Sequence, residues 1–174
     1  MNYLKKIIFI FCIFFLSQSY VKSDTPYFLD FKFILNESNA GKKAQDFLKS
    51  KLDKGIKGLK EKEKKIQDEE KKIIQQKKVI SAEEYKKKVT ELRNKVSTLQ
   101  KERNSLLESV AKQRTKARNE LLRNLNPIIK EYMKEKNIRM VVDKKSLLLA
   151  DENLNITNEI MDLLNKKLKS IKLN

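Results

Sequence analysis

Several side chains on which active sites commonly depend are missing from this sequence. It has no histidine and no tryptophan, and Cys12 is its only cysteine. Imidazole general-base chemistry and histidine-ligated metal sites are therefore excluded. A hydrolase would have to use a Ser–Lys pair or paired carboxylates, but the adjacent glutamates at 69–70 and 83–84 fall in exposed helical sequence. Because a glycine-rich phosphate loop is absent as well, we expect no enzymatic activity, cofactor or metal site.

Residues that interrupt helices are also scarce. The 174-residue chain has only three glycines and two prolines, whereas 36% of its residues are charged. Leucine and isoleucine recur with a helical period, so the composition is typical of long helices rather than of a disordered tail. The length suits one domain from which an element protrudes.

The N-terminus has the features of a secretory signal peptide. Lys5 and Lys6 form a positive region that precedes an unbroken apolar run at 7–16. This run is shorter than the roughly 20 residues of an ordinary transmembrane helix. We expect residues 1–23 to be a signal peptide that is cleaved after about Ser23, with an uncleaved anchor as the alternative.

Export would change the chemistry that is open to the chain. Removal of residues 1–23 takes away Cys12 and three lysines but no acidic residue, which lowers the formal net charge from +17 to +14. The exported chain could then form no disulfide and use no thiol nucleophile. A basic cytoplasmic protein would suggest nucleic acid as its partner. Outside the cytoplasm the negative partners are acidic proteins, lipid head groups or lipopolysaccharide, so we expect no nucleic-acid partner.

The long charged stretch at residues 40–136 organises the rest of the chain. In its first half an apolar residue recurs at every seventh position from Leu52 to Ile80. In its second half the apolar positions alternate by three and four residues from Tyr85 to Val110. Each half is predicted to be a helix with one apolar stripe, and such stripes usually form a packed seam.

A capping box divides the two helices. Ser81-Ala82-Glu83-Glu84 allows Ser81 to cap the second helix while Glu84 reaches back toward it. We therefore predict an antiparallel hairpin of coiled-coil arms with its tip near residues 79–83. Pro127 lies inside the second arm and is expected to bend it, with Asn126 as an alternative helix end.

The three glycines have different predicted roles. Gly41, near the start of the first arm, allows another backbone to approach closely. Gly55 and Gly58 lie inside the first arm and should each cost about 1 kcal/mol relative to alanine. We expect the first arm to be locally soft for this reason.

Strand-like sequence flanks the hairpin on both sides. Residues 27–30 predict a strand that leads into a short helical turn through Ile34 and Leu35, and Ser38 or Asn39 is the expected cap of the first arm. After the hairpin, two further strands are predicted from the sequence, at residues 138–142 and 146–150, and Thr157 is the expected cap of a final amphipathic helix.

The predicted fold class is α+β. The hairpin at 40–136 is inserted in a small β-sheet body that consists of residues 24–39 and 137–174, including the C-terminal helix. A body of this size buries little apolar area alone, so we expect a homo-oligomer that is joined through the sheet. The candidate core of the body and of the oligomer contact comprises Phe28, Leu29, Ile138, Met140, Val141, Val142, Leu147 and Leu149.

The mature sequence resembles the Skp/OmpH family of periplasmic chaperones over essentially its whole length. The matching segments flank the Lys/Glu/Gln-rich hairpin and are Ile34–Gln45, Asn126–Ile129, Asn137–Asp143, Leu149–Asp151 and Asn155–Thr157. The resemblance implies a jellyfish-shaped homotrimer in which a β-body joins the subunits and three hairpins enclose a cavity. It implies a periplasmic, ATP-independent holdase that binds unfolded outer-membrane proteins and prevents their aggregation during transport to the outer membrane.

The arms carry the candidate contact residues. We expect their basic side chains to attract acidic clients and anionic lipid or lipopolysaccharide surfaces, although a merely solvated helix face is the alternative. Leu121, Leu122 and Leu125 should pack at the base of the arms. The candidate client or anionic-surface contacts are Lys64, Lys65, Lys71, Lys72, Lys77, Lys78, Lys86, Lys87, Lys88 and Leu107.

A structural or tethering coiled coil of the cell envelope is the alternative function. A tether would favour one long helix with an unbroken seam. The capping box at Ser81 and the predicted strands at both ends favour a hairpin instead.

Overall fold

The structure is a computed structural model that describes residues 25–173, and the predicted signal peptide lies outside this range. The described chain is mostly helical, and its two longest helices form a hairpin above a small body. No helix within residues 25–173 is long and apolar enough to cross a membrane. In chain order the elements are β1 (Tyr27–Leu29), α1 (Phe31–Glu37), α2 (Asn39–Gln76), α3 (Ala82–Glu135), β2 (Val141–Asp143) and α4 (Thr157–Lys167).

Two side-chain caps turn the chain from β1 into the first arm. Asp30 Oδ1 accepts the backbone N–H of Phe33 at 2.8 Å and so begins α1. The buried Ser38 then accepts the N–H of Gly41 at 3.2 Å and begins α2. A Cβ atom on Gly41 would overlap the carbonyl oxygen of Leu35, so this junction requires glycine, as the sequence predicts.

The distal turn between the arms occupies residues 77–81. Ser81 Oγ accepts the backbone N–H of Glu84 at 3.2 Å, which is the Ser81 half of the capping box. The Glu84 half of the box does not form, because the Glu84 carboxylate lies 3.5 Å from Lys88 Nζ, one helical turn further along α3, instead of bonding the backbone N–H of Ser81. Across the turn, Lys77 Nζ lies 5.8 Å from the centre of the Tyr85 ring, so a cation–π contact links the end of the first arm to the start of the second.

The predicted apolar stripes meet in a seam between α2 and α3. Leu59 and Ile73 are buried, and most other stripe residues are half-buried, whereas Val96 is exposed. Gly55 lies directly beneath Leu106, whose two terminal methyl carbons would be 2.5 and 2.6 Å from a Cβ atom at position 55. Gly55 therefore permits close packing, whereas a Cβ on Gly58 would have no neighbour within 4 Å.

The second arm passes through Pro127 without interruption. Helix α3 continues to Glu135, so Asn126 is not the end of the helix. Beyond the helix, Asn137 adopts a left-handed φ of 55°, a conformation that asparagine tolerates at helix ends. The N–H of Ile138 then donates to the carbonyl of Met133 at 2.8 Å and turns the chain back toward β2.

The body sheet is parallel and has two strands. Phe28 of β1 is paired in register with Val142 of β2. On its other side Phe28 forms an isolated parallel bridge with Asn155, where the N–H of Ile156 donates to the carbonyl of Phe28 at 2.9 Å. The sequence prediction of strand at 138–142 is therefore correct only for its last residues.

Two predictions for the body are wrong. Residues 146–150 do not form a strand, because Asp143 Oδ1 accepts the N–H of Lys145 and a 3₁₀ turn at Lys144–Ser146 directs the chain away from β2. Thr157 is not the cap of α4, since Ile156 occupies that position. The Thr157 hydroxyl instead accepts the N–H of Asp30 at 2.9 Å and donates to the side chain of Asn155.

One core joins the body to the base of the arms. Leu121 and Leu125 of α3 pack there with Ile34, Ile160 and Leu164, all of them buried. The predicted body residues divide into three groups. Phe28, Leu29 and Ile138 are buried and Val141, Val142 and Leu147 are half-buried, but Met140 and Leu149 are exposed and do not belong to the core of the single chain.

Candidate functional site

Most polar contacts between the arms lie on one side of the hairpin, whereas the ion pair between Arg103 and Glu63, at 3.6 Å, lies on the other side. Lys62 Nζ lies 2.6 Å from the Glu102 carboxylate, and Lys95 Nζ lies 2.6 Å from that of Glu69. Nearer the base, Lys51 donates to Ser109 and to Gln113, both at 2.9 Å. Positions 51, 62 and 69 of α2 fall on one helical face, as do positions 95, 102, 109 and 113 of α3. We call this side the stitched face.

The segment after α4 covers the lower part of the stitched face. The carbonyl of Leu173 accepts a hydrogen bond from Gln113 Nε2 at 2.6 Å. The Leu173 side chain is buried in a cluster with Ala44, Leu48 and Ala117. Small residues at 44 and 117 leave room for this leucine, so residues 168–173 hold the bases of the two arms together.

The opposite side of the hairpin contains an open groove at the base of the arms. Its volume is about 1170 Å³. The apolar side chains that line it include Phe31, Leu35, Leu52 and Leu122, and the basic ones are Lys32, Lys49, Arg114, Arg118 and Lys145. Asp46 and Asp143 also line the groove, and Asp143 lies 3.3 Å from Lys145. We call this the base groove and the side on which it lies the open face.

Two exposed apolar side chains lie further out on the open face. Gly55 and Leu106 face each other across the seam, which places positions 56 and 107 within about 3 Å of the same height along the arms. In an antiparallel pair of helices, the residues that follow two facing seam positions by one both point toward the same side of the pair, so Ile56 and Leu107 lie on the same side. Ile56 also lies seven residues beyond the groove residue Lys49, and Leu107 lies seven before Arg114, about two turns in each case. Ile56 is 39% exposed and Leu107 is 53% exposed.

Comparison with known proteins assigns the chain to a family. A family model described as outer membrane protein (OmpH-like) matches residues 27–164, which span both strands, both arms and most of α4. The chain belongs to the OmpH-like family. No curated protein matches this OmpH-like chain.

A solved structure shares the fold. It is a candidate outer membrane chaperone (OmpH-like) from Caulobacter crescentus CB15, and it superimposes with a TM-score of 0.79 at 18% sequence identity. The match covers 85% of the OmpH-like chain and 89% of the other chain. At this identity the likeness concerns the fold, with its long helices and small sheet.

The predicted contact residues of the OmpH-like chain lie on the outer arms. Leu107 and the predicted lysines are exposed, apart from Lys88, which is half-buried. The half-buried Lys88 donates to Gln76 Oε1 at 2.9 Å and so helps to join the arms near the turn. Lys77 is directed toward Tyr85, as described for the turn.

Sequence reasoning missed the base groove and Ile56. Phe31 and Leu35 reach the groove from α1, whereas Arg114 and Arg118 reach it from α3, so their proximity depends on how α1 packs against the arms. The sequence did contain a pattern that could have indicated Ile56 as an exposed apolar residue. Ile56 follows the seam position Gly55 by one residue, just as Leu107 follows the seam position Leu106. An exposed apolar residue beside the seam on both arms could have been recognised from this pattern.

Residues 25–173 contain no group of three or more carboxylates that could bind a metal ion. The pKa of Tyr132, at the base of the arms, is raised above its ordinary value of 10.0. Burial is the largest cause, and Glu159, Tyr27 and Glu135 act in the same direction.

Proposed function

We propose that this protein is an ATP-independent holdase chaperone of the periplasm that binds unfolded outer-membrane proteins. The observation that carries the proposal is a paired-helix arm on which exposed apolar side chains, Ile56 and Leu107, lie among basic residues. Membership of the OmpH-like family and the shared fold of a candidate outer membrane chaperone support the same role. The predicted signal peptide, cleaved after about Ser23, would deliver the protein to the periplasm.

Such a holdase works by equilibrium binding. Burial of apolar surface contributes about 25 cal/mol per Å², so several modest contacts along an arm can retain an unfolded chain without a deep pocket. Each contact remains reversible, and release needs no nucleotide. The outer arms are basic and attract acidic clients through lysines that include Lys64, Lys65, Lys71 and Lys72. This attraction becomes weaker as salt screens the charges.

We propose further that the subunits assemble as a homotrimer through the body. Leu148 and Leu149 are 101% and 95% exposed, and Met140 beside β2 is exposed too. Exposed leucines next to a two-stranded sheet suit burial against a neighbouring subunit. Three hairpins that project from a shared body would enclose a space for the client.

The decisive experiment dilutes a urea-unfolded outer-membrane β-barrel protein into buffer with and without residues 24–174 of this protein. Light scattering measures aggregation, and native mass spectrometry measures the stoichiometry, both without ATP. We expect a trimer that keeps the client soluble. Carbonic anhydrase at the same concentration is the control for nonspecific crowding. A soluble oligomer that leaves the client to aggregate would overturn the holdase proposal.

The alternative function is an envelope tether, and the same experiment separates the two. A tether should leave aggregation unchanged. The reversal of the chain at residues 77–81 favours the holdase, because it limits the reach of the arms to about half that of a single continuous helix. Repeating the assay at 50 and 500 mM salt tests the role of the lysines, since binding that is insensitive to salt would exclude the electrostatic part. Anionic vesicles and lipopolysaccharide in separate arms test contact with those surfaces.

A further inference from the structure

We propose that clients bind to the open face of the hairpin and that this face selects unfolded segments in which a carboxylate lies near an aliphatic or aromatic side chain. The inference rests on the proposed holdase function and specifies its site. It follows from a difference between the two sides of the arms in how their polar groups are used.

The stitched face uses several of its polar groups in contacts between the arms, although Lys65 on this face is exposed. Its lysines at 51, 62 and 95 are engaged by the opposite arm, two of them with carboxylates. Its lower part is covered by residues 168–173, where Leu173 is buried and its carbonyl is bonded to Gln113. A client on this side would have to displace contacts that already satisfy both arms.

The base groove of the open face keeps most of its cations available, whereas Arg103 further out on this face is paired with Glu63 at 3.6 Å. Within residues 25–173, Lys49, Arg114 and Arg118 of the base groove make no ion pair. Asp46 is one of two acidic residues in the groove, against five basic ones. A carboxylate that binds there meets an excess of positive charge, and a guanidinium can bind it with two parallel hydrogen bonds.

The apolar contacts lie at a fixed distance from these cations. Position 49 is seven residues from Ile56 and position 114 is seven residues from Leu107, which corresponds to about 10 Å along the arms in each case. An extended polypeptide advances about 3.3 Å per residue. A client segment with a carboxylate in the base groove can therefore place an apolar side chain between Ile56 and Leu107 when the two are about two to four residues apart.

An unfolded polypeptide fits this surface better than a compact ligand does. The base groove is open, and apolar side chains extend beyond it along the arm, so the whole surface is elongated. Its walls combine Phe31, Leu35 and Leu122 with arginine and lysine. An acidic and apolar segment complements both features, whereas a purely acidic segment would leave the apolar part unused.

The chain provides a matched control on the stitched face. Phe47 precedes Lys51 by four residues, so it lies on the same helical face as Lys51, and it is 43% exposed. Its exposure lies between those of Ile56 and Leu107. For the cations, Lys112 precedes Arg114 by two residues, which turns its exposed side chain to the other side of α3.

The experiment measures binding of a fluorescent, urea-unfolded outer-membrane β-barrel protein to variants of residues 24–174. The variant with Ile56→Gln and Leu107→Gln should bind about tenfold more weakly, because two half-exposed aliphatic contacts are lost. Phe47→Gln should change the affinity by less than about twofold. Circular dichroism and native mass spectrometry must show that each variant keeps its helix content and assembly.

A peptide series tests the charge selectivity. A client peptide that carries an aspartate three residues from a phenylalanine is compared with its asparagine analogue. Arg114→Gln should weaken binding of the aspartate peptide and leave the asparagine peptide unchanged, whereas Lys112→Gln should affect both peptides equally. Photo-crosslinking from position 56 or 107 should capture client, and crosslinking from position 47 should not.

The outcomes separate the inference from the proposed function. If the wild-type protein prevents aggregation but both faces crosslink client equally, or Phe47→Gln weakens binding as much as the double variant, the open-face inference is wrong and the holdase function stands. Capture of a second copy of this chain from position 56 or 107 would identify the open face as a subunit contact and overturn the inference. If the wild-type protein neither binds nor protects the client, the proposed function itself fails.

Discussion

Gly55 and Gly58 give the sharpest test of how the arms pack. Both lie inside α2 only three residues apart, and in a helix interior each glycine is less favourable than alanine by about 0.8–1 kcal/mol. A Cβ at position 58 would have no neighbour within 4 Å, so Gly58→Ala should raise the free energy of unfolding by about 1 kcal/mol. For a chain of this length that corresponds to about 2–4 °C in Tm.

The same substitution at position 55 meets the side chain of Leu106. Its terminal methyl carbons would lie 2.5 and 2.6 Å from the new Cβ and its Cγ would lie at 3.1 Å, so the leucine must move. Overpacking of this kind costs about 1–3 kcal/mol. Offset against the gain in helix propensity, Gly55→Ala should change stability by between about 0 and −2 kcal/mol.

The measurement is urea unfolding followed by far-UV circular dichroism. All variants are compared at one protein concentration, because association contributes to apparent stability, and equal m-values are required. The combination Gly55→Ala with Leu106→Ala supplies the internal control. The coupling energy between the two substitutions should be about 0.5–3 kcal/mol, because the smaller residue at position 106 makes room for the methyl group at position 55. If Gly55→Ala stabilises the protein as much as Gly58→Ala does, close packing at position 55 is refuted.

Three further predictions concern the base, the turn and the response to pH. Gly41→Ala should lower the free energy of unfolding by more than about 2 kcal/mol, because its Cβ overlaps the Leu35 backbone carbonyl, and a urea midpoint equal to that of the wild type would contradict this. Ser81→Ala removes the cap of α3 and should cost about 1 kcal/mol, and faster amide hydrogen exchange should be confined to the first turn of that helix. The pKa of Tyr132 is raised above 10.0 in the folded protein, so the unfolded chain ionises first and stability falls as the pH rises past that value. Tyr132→Phe should make the loss of Tm at alkaline pH less steep, and an unchanged slope would argue against burial of the hydroxyl.

The repeating patterns of the sequence were enough to predict the arms. A stripe from Leu52 to Ile80 and a capping box at Ser81 depend only on residues close in the chain, and helices are built from such local contacts. The small body was harder to predict. Leucines at 147–149 resemble a strand, but a strand forms only beside a partner, and Asp143 directs the chain into a 3₁₀ turn instead.

The amino-acid sequence was sufficient to assign the family of this protein. The absence of histidine excluded imidazole catalysis, and the helical periods together with two flanking segments were sufficient to identify the family. The difference between the two sides of the hairpin, by contrast, emerged only from the way the two arms pack together. Whether Lys62 is neutralised and Arg114 is left available depends on which residue of the other arm lies opposite, and the sequence of one helix carries no information about that register. The structure likewise revealed that Gly55 is a packing contact, because Leu106 approaches it from more than fifty positions along the chain.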